Sequence, residues 1–392
     1  MFDNISVLLF MGSCFFVIYV YLGYPGLLWL LSSIRKGQKV EKSTIEPHVT
    51  ILISAYNEED VIADKILNSL QLEYPAGKLE IVVVSDCSSD KTDEIVRQFS
   101  DQGVVLVAMS ERGGKTVGLN KVVPVVKGEI VVFSDANAIY DRDVLIKIVR
   151  NFADQQVGAV TCSSQYVIDE NDNSTENEDL YWKYELAIKQ MESKIGSLVG
   201  GDGAIYAIRK RLYQKLRASD LSDFVNPLQI VAQGYRNVFE AEAISHEKGG
   251  KSFENEFKRK VRIVNRGFRG LMRVKKVMNP FRYGFFSLQV ISHKLLRWLI
   301  PVFLVCIFVS NFFIAATSML LAFTFSFQSI FYALALIGYI LRKREKTGFV
   351  FYIPYYFCLV NWASLLGIID NLRGKTYTHW NTVRDKESLE VT

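Results

Sequence analysis

The chain has 392 residues, 49% hydrophobic and 22% charged, with a formal net charge of +5. That length holds about two units of 100–200 residues each. Five scattered cysteines (14, 87, 162, 306 and 358), with no Cys-x-x-Cys pair and no histidine at ligand spacing, argue against a disulfide framework or a zinc site. The small net charge hides a block from Lys258 to Arg282 with ten Lys or Arg and no acid, the composition that meets an anionic partner.

Residues 5–34 are almost wholly apolar, longer than the roughly 20 that span a bilayer. They lack a basic start and a small-residue cleavage site, so residues 1–36 are expected to be an uncleaved anchor, kinked at Gly23-Tyr24-Pro25. Arg35, Lys36, Lys39 and Lys42 then place the next segment on the cytoplasmic side.

From 47 to 165, continuous apolar runs at Val49–Ala55, Ile81–Ser85, Val104–Ala108, Ile130–Ser134 and Val157–Thr161 read as strands covered on both faces. Helical patterns lie between them at Glu59–Leu72, Asp90–Phe99, Thr116–Val126 and Asp141–Phe152. Such alternation predicts βαβ units, a mostly parallel sheet and a Rossmann-like α/β nucleotide-binding layer within residues 37–250. Residues 166–250 are less regular, with a polar stretch at Asp169–Glu178 and a helix predicted over 179–195.

Phe257, Val261, Val264, Phe268 and Leu271 recur at steps of four and three among basic residues, and Phe281, Phe285, Leu288, Leu295 and Leu299 form a second stripe opposite His293, Lys294 and Arg297. Residues 251–297 are therefore read as amphipathic helices at a charged membrane interface, with packed helices of a soluble core as the alternative. Apolar spans at 298–316, 318–341 and 349–370 predict C-terminal transmembrane helices within 298–372, followed by a polar tail, 373–392. Arg342–Lys346 should be cytoplasmic, yet three crossings after the anchor put Arg373, Lys375 and Arg384 on the far side, against their charge. The span at 349–370, with Pro354, Asn361 and Asp370, is the one expected to be re-entrant or interfacial.

Candidate chemistry clusters at strand ends, where ligands bind open α/β sheets. Ser134-Asp135-Ala136-Asn137 closes one strand with an acid and a second oxygen ligand two residues on, a pattern that holds Mg²⁺ or Mn²⁺ together with water and phosphates. Tyr56-Asn57-Glu58-Glu59 follows the first strand. Asp86, in Val84-Ser85-Asp86-Cys87-Ser88-Ser89-Asp90, can accept from a base or ribose; Asp86 and Asp90 can equally cap a helix. Gly113-Gly114-Lys115-Thr116 opens a helix with flexible backbone and a cation near phosphates. It is not a Walker A loop, because Met109 stands where the first glycine is required.

Taken in order, Tyr56-Asn57-Glu58-Glu59, Asp86, Gly114-Lys115, Asp135-Ala136-Asn137, Ser222-Asp223-Phe224 and Gly234-Tyr235-Arg236 resemble the inverting family 2 glycosyltransferases. The chain as a whole is similar to their membrane-embedded branch, the hyaluronan, chitin, cellulose and poly-N-acetylglucosamine synthases. The resemblance implies a GT-A fold, a nucleotide diphosphate sugar donor (a UDP-sugar first), a divalent metal, Mg²⁺ or Mn²⁺, and single-displacement inversion. By position it implies nucleotide contacts at Tyr56, Glu58, Asp86 and Lys115, metal ligation by Asp135 and Asn137, and Asp223 as general base, where a helix cap is the plainer role. Arg259-Lys260-Val261-Arg262-Ile263 falls where the processive enzymes carry Gln-x-x-Arg-Trp, so Arg262 matches the diphosphate arginine while Ile263 replaces the stacking tryptophan. Asn137 stands for a second Asp, and Ser222 for an acid before the base.

Asp202, in Gly200-Gly201-Asp202-Gly203-Ala204, lies where the family borders its acceptor pocket, or is part of a plain turn. His246 is a third metal ligand or a surface residue, and Tyr181, Trp182 and Tyr184 stack on sugars or simply pack. The expected enzyme moves a sugar to a lipid-linked or glycan acceptor at the cytoplasmic face of the cell membrane, in contact with membrane lipids and without nucleic acid. A processive synthase that extrudes its own polymer and a non-catalytic nucleotide-binding membrane subunit are the alternatives.

Overall fold

The computed structural model describes residues 2–34, 37–167, 175–248, 253–342 and 348–378. Arg35, Lys36, residues 343–346, Arg384, part of the polar stretch at 169–178 and the side chains of Tyr181 and Trp182 lie outside the described residues. The chain opens with α1 (Phe2–Ile18), a π-helical turn (Tyr19–Gly23) and α2 (Tyr24–Ile34). There follow β1 (Val49–Ala55), α3 (Ile62–Leu70), β2 (Leu79–Ser85), α4 (Thr92–Arg97), β3 (Val104–Ala108), α5 (Lys115–Val122), β4 (Ile130–Asp135), β5 (Ile139–Tyr140) and α6 (Val144–Val149). Next come β6 (Val157–Val167), α7 (Thr175–Ile195), β7 (Ile205–Arg209), α8 (Ser222–Ala232) and β8 (Arg236–Lys248). Helices complete the chain: α9 (Phe253–Arg273), α10 (Pro280–Tyr283), α11 (Phe285–Val290), a second π turn (Ile291–Leu296), α12 (Arg297–Ile314), α13 (Met319–Leu341) and α14 (Phe349–Leu372).

Among the described residues these elements form two compact units. Met1–Leu27, Ser252–Phe268 and Val290–Thr376 make one; Leu28–Lys251, Arg269–Gln289 and Tyr377–Thr392 contribute to the other.

The second unit is built on a mixed sheet in the order β3-β2-β1-β4-β7-β6-β8-β5. Its first four strands are parallel, as the unbroken apolar runs require: all seven residues of β1 are buried. Alternate side chains feed two cores. Ile51, Ile53 and Val132 point to one face with Ile62 and Ile66 of α3 and Ile148 of α6. Leu52, Val131 and Phe133 point to the other with Leu119 and Val122 of α5 and Ile230 of α8. The expected continuation of the parallel run fails at β6. The segment Ile205–Arg209 inserts as β7 between β4 and β6, antiparallel to both, and β6 pairs in parallel with β8 instead. β7 carries a short apolar run, Ile205-Tyr206-Ala207-Ile208, whereas β8 does not: it reads Arg-Asn-Val-Phe-Glu-Ala-Glu-Ala-Ile-Ser-His-Glu-Lys.

In the first unit, α1 packs along α12, with the Phe16 and Phe303 rings stacked at 4.9 Å. The two π turns meet there, where the Tyr19 hydroxyl lies 2.8 Å from Ser292 Oγ. The first π turn coincides with the kink expected around Pro25. The second corrects the stripe expected over 281–299. Phe281 lies on the separate α10, which ends at Gly284 (φ 55°), and is 100% exposed, while His293, inside the π turn that inserts one extra residue and shifts the helix face, is 3% exposed. On α9 the expected face holds, with Val261 and Val264 buried. Asn265, beside them, is fully buried; its Nδ2 donates to the carbonyls of Gly367 (3.2 Å) and Lys375 (3.2 Å), and its own carbonyl accepts from Asn371 Nδ2 (3.0 Å).

Among the described residues, four helical segments are long and apolar enough to cross a membrane: Asn4–Ile34, Phe285–Thr317, Met319–Leu341 and Phe349–Leu372. The last is one continuous helix with Pro354 inside it and does not fold back as a re-entrant loop.

Replacing Asn265 with Leu takes its side-chain donor from the buried Gly367 carbonyl and from the Lys375 carbonyl, a loss of about 1–3 kcal/mol. The detergent-purified Asn265→Leu variant is expected to melt several degrees below the parent in a differential scanning fluorimetry scan.

Candidate active site

Three strand ends assemble the site. In the register of the parallel strands Ala55 of β1 lies beside Ser85 of β2, and Ser54 of β1 beside Asp135 of β4. Tyr56 and Asp86, the next residues out, therefore leave the sheet side by side at its carboxyl edge, one step beyond the level of Ala136. The loops beyond β1 and β2 are laced together. Asn57 Oδ1 accepts from the Ser89 amide (2.8 Å), the Glu58 amide donates to Thr92 Oγ1 (2.8 Å), and the Glu59 amide to Asp90 Oδ2 (3.0 Å). Two non-glycine residues in these loops, Asn57 (φ 50°) and Cys87 (φ 61°), take the left-handed conformation, which such cross-loop bonding holds in place. Asp90 Oδ1 accepts from the amide (3.0 Å) and hydroxyl (2.6 Å) of Thr92 at the start of α4, the capping role that was one of its two readings. Glu58 also shapes a helix start, its carbonyl accepting from the amides of Val61 (3.0 Å) and Ile62 (2.9 Å).

Asp86 is 2% exposed. Its Oδ1 accepts from the amides of Gly113 (2.8 Å) and Gly114 (3.0 Å), and its Oδ2 from Gly114 (2.9 Å). The carboxylate thus anchors the turn that opens α5. Gly114 has φ +85°, a conformation side-chain-bearing residues rarely adopt. The anchored turn sets Lys115, whose Nζ forms a short ion pair with Asp135 Oδ1. Beside it, the Arg112 guanidinium stacks over the Tyr56 ring, 3.7 Å from its centroid.

Asp223 enters from α8, in the first turn of that helix. It meets Asp135 at Gly203: a Cβ there would lie 3.3 Å from Asp223 Oδ2 and 3.5 Å from Asp135 Oδ2. A glycine at 203 thus keeps open the space that both carboxylates face. The turn carrying Gly203 is held by Asn237, whose Nδ2 donates to the Gly200 carbonyl (2.7 Å), and by Asp202, paired with Lys189 Nζ at 3.2 Å. His246, on β8, bonds Asp141 through Nε2 at 3.0 Å. Arg262 lies on α9, in the first unit.

The donors at Asp135 suit a hard cation. A carboxylate on which a lysine ammonium already sits, facing a second carboxylate and followed two residues on by Asn137, offers oxygen ligands. Among the described residues no three His, Cys, Asp or Glu side chains group to hold a metal by themselves. A bound ion would therefore share its shell with a phosphate-bearing ligand. Lys189 and the Asn237 clamp escaped the sequence reading, which carries no signal for either; Lys115, placed after a Gly-Gly pair, was among its candidates.

A mixed Rossmann-like sheet with acids, a glycine turn and a lysine at its carboxyl edge is the GT-A fold. Residues 50–217 match the family described as glycosyl transferase family 2. The chain is 38% identical over 130 residues to beta-monoglucosyldiacylglycerol synthase of Trichormus variabilis, covering 32% of this chain and 28% of that protein. It is 33% identical over 131 residues to poly-beta-1,6-N-acetyl-D-glucosamine synthase of Staphylococcus aureus, covering 33% and 31% of the two chains. The matched segment thus spans less than a third of each of these relatives. Among solved structures, the mannosyltransferase PcManGT from Pyrobaculum calidifontis, in complex with GDP-Man and Mn2+, shares the fold with a TM-score of 0.71 and 22% identity, over 96% of this chain and 100% of that one.

Removing the Asp86 carboxylate strands the Gly113 and Gly114 amides. Asp86→Ala should cost about 1–3 kcal/mol in denaturant unfolding, with faster amide hydrogen exchange at 113–115 marking the released turn.

Proposed function

We propose that this chain is an inverting glycosyltransferase that moves a sugar from a nucleotide diphosphate sugar to a lipid-linked acceptor at the cytoplasmic face of a membrane. The observation that carries this reading is the convergence of Asp135 and Asp223, from two different elements, on the open space at Gly203. One carboxylate serves the departing diphosphate and the other the incoming hydroxyl. The conversion of a glycosyl diphosphate needs these two charges on opposite sides of the sugar.

In the proposed cycle Tyr56, Glu58 and Asp86 border the nucleoside and Lys115 the phosphates. Asp135 and Asn137 hold Mg²⁺ or Mn²⁺, which supplies Lewis-acid neutralisation of charge on the leaving diphosphate. Lys115, released from Asp135 Oδ1 as phosphate oxygens arrive, adds a cation at the same place. Asp223 takes the proton of the acceptor hydroxyl as that oxygen attacks the anomeric carbon from the face opposite the diphosphate. Asp202, in the turn that faces Asp223, orients the acceptor. Arg262 keeps its assignment to the diphosphate from the motif alone. His246 is left out of the metal set on the strength of its bond to Asp141.

Mn²⁺ and GDP-Man in the structural neighbour support a metal and a nucleotide-sugar donor. The base, UDP or GDP, is part of what the experiment reads. Similarity to a glucosyldiacylglycerol synthase supports a lipid acceptor, and Ile263 in place of a stacking tryptophan supports a single addition. Similarity to a poly-N-acetylglucosamine synthase favours the second reading, a processive synthase. Four apolar helices and the basic residues Lys39 and Lys42 support a multi-pass protein with this domain in the cytoplasm.

The test is release of nucleoside diphosphate from UDP-, GDP- and TDP-sugars by the detergent-purified chain with Mn²⁺ and membrane lipid extract. Asp223→Asn is expected to lower turnover at least 100-fold while nucleotide binding stays near the parent value. Full activity in Asp223→Asn would sink the mechanism, and a ladder of long products would replace single addition by the processive reading. Gly203→Ala pushes a methyl group between the two carboxylates and is expected to lower turnover about tenfold, since small misplacements of reacting groups are costly.

A further inference from the structure

Helix α3 bears a lysine where a lysine is expensive. Lys65 is fully buried, and burial pushes its ammonium well below the usual lysine range, opposed by the nearby charges of Asp135 and Glu247. Uncompensated, such a group is strongly destabilising, so what it touches is informative. Its Nζ donates to the Ala138 carbonyl at 2.6 Å and lies 3.2 Å from the centroid of the Tyr140 ring. One helical turn further on, Asn68 closes a two-way bond with the backbone of the same tyrosine: Nδ2 donates to the Tyr140 carbonyl and the Tyr140 amide to Oδ1, each at 2.9 Å.

The buried Tyr140 hydroxyl then reaches both halves of the site. It lies 2.6 Å from Ser134 Oγ and 2.9 Å from the Ala204 carbonyl, so its single proton serves both. The Ser134 hydroxyl in turn donates to the Asp135 carbonyl at 2.9 Å. Ser134 and Ala138 flank the Asp135-Ala136-Asn137 turn, and Ala204 ends the Gly200–Ala204 turn. Four hydrogen-bonding side chains, Lys65, Asn68, Tyr140 and Ser134, thus tie one helix to both turns, and Lys65, Tyr140 and Ser134 are buried.

The geometry points to Lys65 and Tyr140 as positioning residues that lock the Asp135–Asn137 turn to the Gly200–Ala204 turn, so that the metal-bearing and acceptor-facing sides of the site move as one body. Both side chains are buried, out of reach of a ligand in the open space. Lys65 fixes the trailing end of the metal turn and the plane of the Tyr140 ring, and the Tyr140 hydroxyl carries that constraint across to Ala204. This inference rests on the reading of Asp135 and Asn137 as metal ligands. A purely structural pair would cost stability and leave the metal site alone. A positioning pair sets the geometry in which Mn²⁺ is held, and this is what separates the two roles.

The experiment uses the full chain in detergent with MnCl2 as the probe, in the presence of whichever of UDP or GDP the parent binds. Bound Mn²⁺ is read from loss of the free-ion electron paramagnetic resonance signal, and metal-free nucleotide binding and melting temperature are measured alongside. Tyr140→Phe keeps the ring over Lys65 and removes only the bridging hydroxyl. It is expected to raise the Mn²⁺ half-saturation concentration about tenfold, with metal-free nucleotide binding within twofold of the parent. Lys65→Met should do the same if it folds; Tyr140→Phe decides the matter if it does not. Mn²⁺ half-saturation unchanged in Tyr140→Phe, with Asp135→Asn losing Mn²⁺, overturns the positioning role alone. Unchanged Mn²⁺ binding in Asp135→Asn overturns the metal reading of that turn, and the positioning role with it.

Discussion

The register of three parallel strands is the constraint on which the site depends. Ala55 pairs with Ser85 and Ser54 with Asp135, and these pairings bring Tyr56, Asp86 and Asp135 to one edge. A slip of one residue in any of the three strands would turn its side chains to the opposite face. That slip is prevented by burial on both faces, since every residue of β1 and all but the last of β4 is buried. The hydrophobic effect, acting on side chains inside the sheet, thus sets the spacing of the acids at its edge.

Each acid at that edge is already met by a donor. Asp86 receives two backbone amides, Asp135 a lysine, Asp202 another lysine, and Asp90 an amide and a hydroxyl. Close-set carboxylates repel one another unless compensated, and a buried one without donors shifts its pKa or destabilises the fold. Two kinds of compensation are present. Asp86 and Asp90 are satisfied by local backbone, which fixes loops. Asp135 and Asp202 are satisfied by flexible lysine side chains, which can exchange that partner for a ligand. The first kind builds the cleft and the second leaves it able to respond.

The helical unit follows other rules. Its helices expose large apolar side chains, among them Phe312, Phe313, Phe323 and Phe327, so packing between helices relies on close backbone approach and a few polar clasps. Asn265 with Gly367 and Asn371 is one, and Tyr19 with Ser292 another. Both π turns fall at such polar contacts. There the extra residue re-aims the helix face, and for that reason, together with the end of α10 at Gly284, a stripe counted at 3.6 residues per turn lost its phase between Phe281 and Leu299.

By itself the sequence determined the four parallel strands, the helices between them, the apolar helices at both ends and the order of the motif residues. Those features are local: an unbroken apolar run, a helical stripe or a short motif is written in neighbouring positions. Asp135, Asp86 and Lys115 were legible because each ends a strand or opens a helix whose pattern is strong. Tertiary structure alone decided the rest. That β7 enters antiparallel between β4 and β6, that β8 is a strand despite its alternating charges, and that Asp223 meets Asp135 across Gly203 all depend on pairings between residues distant in sequence. So does the burial of Lys65, whose partners lie more than seventy positions away. A charged residue on an amphipathic helix reads as a surface residue until the partner that justifies its burial is in place, and that partner is supplied by the fold.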